Sequence, residues 1–204
     1  MRKNFKKKRT SKNEEKILLI VENSEKEFFR KYFNNYLEKN YHVQVVVESS
    51  GTGGNCKITN FSKMIKLIET HLKFNNYKAV FLMIDLDTKC SQTEQNHTCL
   101  VELKKEYASK YKIDKLFKDR FYLFVVCNEI ESWFLTIDKD KKHTNSPYED
   151  HKKEMEKMFK VKNPPQIVQR MISELEQGKV ELDISKNDSL QYFIKKLQEF
   201  NDDV

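Results

Sequence analysis

Glycine and proline are scarce, 4 and 3 in 204 residues. That scarcity excludes a collagen-like repeat and argues against a low-complexity, disordered chain. No apolar run approaches the ~18 residues needed to span a bilayer, so no membrane partner is expected. The four cysteines, Cys56, Cys90, Cys99 and Cys127, form no CxxC pair. The amino end is basic but lacks the apolar stretch of a signal peptide. Together these absences predict reduced thiols in a soluble, cytoplasmic protein. No Ser/His/Asp or Cys/His nucleophile pattern stands out, and the five histidines are dispersed. Cys90, His97 and Cys99 fall short of a four-ligand zinc set.

What is present is enough apolar material, 38% of the chain, for one domain with an appendage. The net charge of +7 is unevenly placed. Arg2, Lys3, Lys6, Lys7, Lys8, Arg9 and Lys12 fall in the first twelve residues with no acid among them, and the 31 basic residues that remain balance 31 acidic ones. Basic character therefore belongs to a tail, residues 1–14, expected to be disordered. Such a tail is attracted to polyphosphate, and Lys6, Lys7, Lys8 and Arg9 are its densest nucleic-acid-binding candidates. A plain solubilising terminus is the competing reading.

Two continuous apolar runs, Ile17 to Val21 and Ala79 to Ile84, read as strands buried on both faces of a parallel sheet. A third run, Phe121 to Cys127, reads the same way, and alternating Val43, Val45 and Val47 predict a strand over 41–48. Phe28, Phe29, Tyr32, Phe33 and Tyr36 recur at helical spacing and predict a helix from Ser24 to about Leu37. Ser24 and Glu27 have the spacing of a capping box. Helices are also predicted over about 60–74, to about Tyr111, over 128–135, and over about 150–160, 164–177 and 188–200. Pro164-Pro165 suits the first turn of the penultimate one. The alternation gives a parallel α/β sheet over residues 15–137 and a helical C-terminal appendage over 138–204.

The chemistry-bearing residues sit at strand ends. Glu22 directly follows the first run; Asp85 and Asp87 directly follow the second. In parallel sheets ligands bind past the carboxyl ends of strands, so these acids are expected at one edge. Clustered carboxylates repel one another, and hard oxygen donors suit Mg²⁺ or Mn²⁺. Each acid alone is equally a helix cap or a loop decoration. Glu129 and Glu131 follow the late strand; Glu131 is a further ligand, a residue that positions the attacking water, or a first-turn helix glutamate. Trp133 is expected to pack beneath and fix the backbone there. Glu25 and Glu27 flank Glu22, either one a ligand for a second metal. The loop 49–55 holds three of the four glycines but has neither P-loop nor dinucleotide-site order. A phosphoacceptor receiver also uses strand-end acids, but with its paired acids after the first strand, the reverse of this chain.

The sequence of a basic tail, a strand ending in Glu22-Asn23-Ser24-Glu25-Lys26-Glu27, an aromatic-rich helix, a glycine loop, a strand ending in Asp85-Leu86-Asp87, and Asn128-Glu129-Ile130-Glu131-Ser132-Trp133 resembles the TOPRIM domain. More closely it resembles RloB-like proteins, whose TOPRIM domain is akin to that of OLD-family nucleases. Asn23 stands where that family has glycine, and the late motif lacks its proline and is one residue shorter.

The resemblance implies a TOPRIM-like, Rossmann-like fold and a metal-dependent nuclease acting on DNA or RNA, serving defence against phage or mobile elements. It implies one or two Mg²⁺ or Mn²⁺ ions. Asp85 and Asp87 would hold the first, Glu22 would be a ligand or general acid/base, and Glu131 with Glu27 would complete a second site. A partner ATPase is a further implication. The competing expectation is a non-catalytic nucleic-acid-binding or regulatory subunit that keeps the fold.

Overall fold

The computed structural model describes residues 16–22, 25–49, 66–75, 77–85, 120–126, 130–144 and 150–202. Its centre is a four-stranded, all-parallel sheet: β1 (Ile17–Val21), β2 (Val45–Ser49), β3 (Ala79–Asp85) and β4 (Phe121–Val126), in the order β2-β1-β3-β4. The fold is α/β, of the Rossmann-like class, as the apolar runs predict. Strand order reverses at β1, which has β2 on one side and β3 on the other. That reversal opens a crevice at the carboxyl edge.

The register sets which residues meet there. Ile20 pairs with Leu82, and Asp85 pairs with Val126. Continued by two residues, the β1–β3 register brings Glu22 level with Ile84, one residue short of Asp85. All five residues of β1 are buried. Ile17, Leu19, Val21, Phe81 and Met83 belong to the main core. Leu18, Ile20, Val80 and Leu82, which alternate with them, are buried as well, so both sheet faces are covered.

Helix α1 is built from three continuous pieces: Lys26–Phe28, a π-helical stretch Phe29–Phe33, and Asn34–Tyr41. It ends at His42, whose φ of 56° is left-handed and whose N–H donates to the carbonyls of Glu38 and Leu37. This closure corrects the expected start of β2. The helix keeps Tyr41, the left-handed turn takes His42, and the strand begins at Val45 rather than at Tyr41. Among the later elements, a helical stretch α2 (66–75, π-helical over His71–Asn75) packs on β3.

After β4 come α3 (Glu131–Phe134), continued by a 3-10 turn Leu135–Ile137, then α4 (His151–Phe159), α5 (Pro164–Glu176) and α6 (Asp188–Asp202). The start of α5 matches its sequence signal, and α4 has a side-chain cap. The Asp150 carboxylate accepts from Lys153 N–H at the start of α4, and Pro164-Pro165 open α5. These helices share the core of the sheet. Met155 and Phe159 of α4, Ile167 and Met171 of α5, and Leu190, Phe193 and Leu197 of α6 are buried with Phe28, Phe33, Phe81 and Trp133. Among the described residues no helix is long and apolar enough to cross a membrane.

Candidate active site

Trp133 is the pivot of the site's foundation. Its ring packs at 5.3 Å from Phe193, 6.0 Å from Phe124 and 6.3 Å from Phe33. Its indole N–H would be costly to leave unpaired in such surroundings. It donates to Ser189 Oγ at 2.7 Å, and Ser189 Oγ donates in turn to Asn187 Oδ1 at 2.8 Å. Asn187 Nδ2 reaches Thr144 Oγ1 at 3.0 Å and Ser132 Oγ at 3.3 Å, while Asn187 Oδ1 caps α6 by accepting from Leu190 N–H. This buried network ties α3 to α6 and so fixes the helix that begins with Glu131.

Above it, three carboxylates line one pocket of about 180 Å³: Glu22, Glu25 and Glu131. Glu22 comes from the end of β1 and Glu25 from the turn into α1. The backbone locks these two together, because Glu25 N–H donates to Glu22 O at 3.2 Å. Lys152 of α4, Pro164, Pro165 and Val168 of α5, and the apolar Ile130 and Phe134 complete the lining.

Glu25 is the anomalous member. Its side chain is buried, with only 4% of the residue exposed. Burial first, then the charges of Glu22 and Glu131, push its carboxyl up to about 8, against smaller opposing pulls from a Glu22 backbone hydrogen bond and from Lys152. Desolvation and like charge both disfavour the ionised form. At neutral pH without a cation, Glu25 is therefore mostly protonated. The proton stands in for a missing positive charge.

Glu27 stands apart from this pocket. It is two residues further along the helix, hence on another face, and its side chain is half exposed and ion-paired with Lys31 at 2.5 Å. The first turn of α1 has Glu25 at its cap and no side-chain cap bond, and Ser24, the other half of the expected capping box, lies outside the described residues. Asp85 ends β3 at the same sheet edge. Asp87, Glu129, Ser24, the glycine loop, the Cys90–Cys99 group, the helix ending near Tyr111 and the basic tail with Lys6, Lys7, Lys8 and Arg9 lie outside the described residues. Among the described residues no three His, Cys, Asp or Glu side chains are gathered into a ready-made metal cage.

A larger, more open groove of about 520 Å³ lies over α4, lined in part by Asp138, Glu154, Lys157 and Glu174. Its charges are compensated: Lys157 pairs with Glu154 at 2.9 Å, and Arg170 pairs with Glu174 at 3.2 Å. The smaller pocket is the one that concentrates like charge at the carboxyl edge.

A family model described as "Domain of unknown function (DUF4276)" matches residues 22–174. The chain belongs to the DUF4276 family. The DUF4276 match takes in every residue of the acidic pocket, from Glu22 to Val168, and it runs from the sheet through α4 into α5. No curated protein and no solved structure matches the chain.

Two members of the pocket carry different lessons. Glu25 lies three and four residues before Phe28 and Phe29, on the buried stripe of α1, a signal that separates it from Glu27. Lys152 sits in the Lys-rich stretch His151-Lys152-Lys153, where nothing local marks it; only the packing of α4 against α3 brings it in.

Proposed function

We propose that this DUF4276 protein is a metal-dependent phosphodiesterase acting on nucleic acid, with a TOPRIM-like acidic site at the carboxyl edge of its sheet. The observation that carries the reading is Glu25, a buried carboxyl crowded by Glu22 and Glu131 at the strand-order reversal. Perturbed carboxyls in such crevices are a mark of functional sites. The donor chemistry of the described lining suits the expected cation: all-oxygen and anionic. Glu22, Glu25 and Glu131 would hold it, with Asp85, and Asp87 beyond it, completing the set from β3. A bound Mg²⁺ or Mn²⁺ would neutralise phosphate charge and lower the pKa of a water.

The chain's own groups have separable tasks. Glu22 and Glu131 present carboxylates from two different elements, so their spacing is fixed by the sheet and by the Trp133 network. Glu25, locked to Glu22 through the backbone, carries a proton that it can surrender when positive charge arrives. Ile130 and Phe134 give the pocket its buried apolar lining.

The test is cleavage of single- and double-stranded DNA and RNA with Mn²⁺ by wild type, Asp85→Ala and Glu131→Gln. Cleavage by wild type, reduced at least about 100-fold in both variants, is the expected result. Nucleic-acid binding without cleavage would instead favour a non-catalytic binding subunit. Neither cleavage nor Mn²⁺ binding would sink the reading of the site.

A further inference from the structure

Beside the carboxylates, the pocket is lined by the C-terminal helices: Lys152 from α4, and Pro164, Pro165 and Val168 from α5. We propose that this helical wall makes the site selective for single-stranded nucleic acid, with Lys152 binding the scissile phosphate. The inference rests on the phosphodiesterase reading above and adds the substrate class.

Three observations support it. The first is size. Pockets that engulf a drug-sized molecule measure roughly 300–1,000 Å³; this one measures about 180 Å³. It admits a phosphate with the adjoining sugar carbons, and not a base pair. The second is depth. Glu25 is only 4% exposed, while Glu22 and Glu131 are part-buried, so a phosphate that reaches all three must enter the pocket. In a duplex each phosphate is held at the surface of a stiff rod by stacked neighbours on both strands. A single strand can turn its backbone inward.

The third is that the wall is fixed in place. Two consecutive prolines set the first turn of α5, and its register is held by Gln166 and Ile167 N–H donating to Asn163 O, each at 3.0 Å. Ile167, Met171, Ile172 and Leu175 anchor the helix in the core. A duplex therefore cannot gain entry by pushing α5 aside without disturbing that core. Among the described residues Lys152 is the basic side chain that lines the pocket. A lysine is a compact point charge on a flexible stem, suited to following a non-bridging phosphate oxygen.

The experiment uses one labelled sequence presented as a single strand, as a blunt duplex, and as a duplex with a single-stranded gap, with Mn²⁺ and the full chain. The expected result is kcat/KM for the single strand at least about 100-fold above the duplex, the loss typical of a misplaced reacting group, and cuts in the gapped substrate confined to the gap. Lys152→Met is expected to lower kcat/KM on the single strand roughly tenfold or more, mainly through KM, with Lys152→Arg recovering part of it. Val168→Ala, which widens the wall, is expected to raise duplex cleavage relative to single strand.

Duplex cut as fast as single strand by wild type, with Glu131→Gln inactive on both, would overturn the selectivity and leave the nuclease reading intact. An unchanged KM in Lys152→Met would overturn the assignment of that lysine. If no substrate is cut, Mn²⁺-dependent binding that favours the single strand supports the wall's role while the catalytic reading fails; no such preference overturns both.

Discussion

Glu25→Gln keeps the shape of the buried side chain and removes its titration, so it isolates the electrostatic strain of the pocket. In the folded chain the carboxyl is raised from 4.5 to about 8. The folded state then binds this proton more tightly than the unfolded state. Its contribution is fully present below pH 4.5 and is lost as pH rises through about 8. At 1.36 kcal/mol per pH unit, the ceiling on that loss is on the order of 5 kcal/mol, with about 3 kcal/mol already gone at pH 7. Gln does not titrate, so the variant does not share the decline. For a domain of this size, 3 kcal/mol corresponds to roughly 6–12 °C in melting temperature. The assay is thermal or urea unfolding of both proteins from pH 4.5 to 9 in EDTA. The expected outcome is a stability gap in favour of Glu25→Gln that is smallest at pH 4.5, widens to pH 8 and then levels off. A gap independent of pH would refute the claim that Glu25 is buried among like charges.

Four other perturbations test different parts of the argument. Glu131→Gln removes one of the two charges that raise Glu25, so the pH range over which wild type loses stability should move downward, read from the same unfolding series. Ser189→Ala leaves the Trp133 indole N–H unpaired in a buried site and should cost about 1–3 kcal/mol in urea unfolding. Phe193→Ala empties a position packed against Trp133, Phe124 and Phe81, for a loss of about 3–5 kcal/mol. Lys160→Gly should stabilise by about 0.5–1 kcal/mol, because Lys160 closes α4 with a left-handed φ of 54° that glycine adopts without steric cost.

Strands buried on both faces announce themselves as unbroken apolar runs, which is why β1, β3 and β4 were legible to within a residue or two. β2 was misjudged at its start because alternation of Val43, Val45 and Val47 continues backward through a left-handed turn at His42 that no residue type there demands. The start of α5 is written in local chemistry, Pro164-Pro165 at its first turn, and Asp150 caps α4 without having been singled out by its sequence. Of the acids in the pocket, Glu22 and Glu131 follow from strand ends, while of Asp85 only its place at the end of β3 is described. Glu25 and Glu27 looked interchangeable until the buried stripe of α1 separated them. Lys152, the α5 wall and the Asn187–Ser189–Trp133 network depend on contacts between residues far apart in sequence. Each of those residues has an ordinary local setting, so nothing short of the packed structure distinguishes them.

Charge balance argues for the class of ligand this pocket is built to take. Among the described residues that line the pocket, three carboxylates stand with one ammonium, Lys152, an excess of two negative charges when all are ionised. A structural glutamate at position 25 would be better served by the neutral amide, which fits the same space without the like-charge repulsion. A monovalent cation would leave that excess half balanced, and an organic amine would have to share about 180 Å³ with the Lys152 side chain. A divalent ion matches the excess. If it does bind beside Glu25, the proton held there must leave. With the carboxyl at about 8, Glu25 holds about 0.9 proton at pH 7 and about 0.1 at pH 9. Titration calorimetry with Mn²⁺ in two buffers of different ionisation enthalpy should thus register release of close to one proton per ion at pH 7 and little at pH 9. The Mn²⁺ affinity of wild type should climb up to tenfold per pH unit toward pH 8. Glu25→Gln should release none and show a flat profile. Binding at pH 7 without proton release would mean that the ion sits away from Glu25, and the carboxyl's strain would then need another cause.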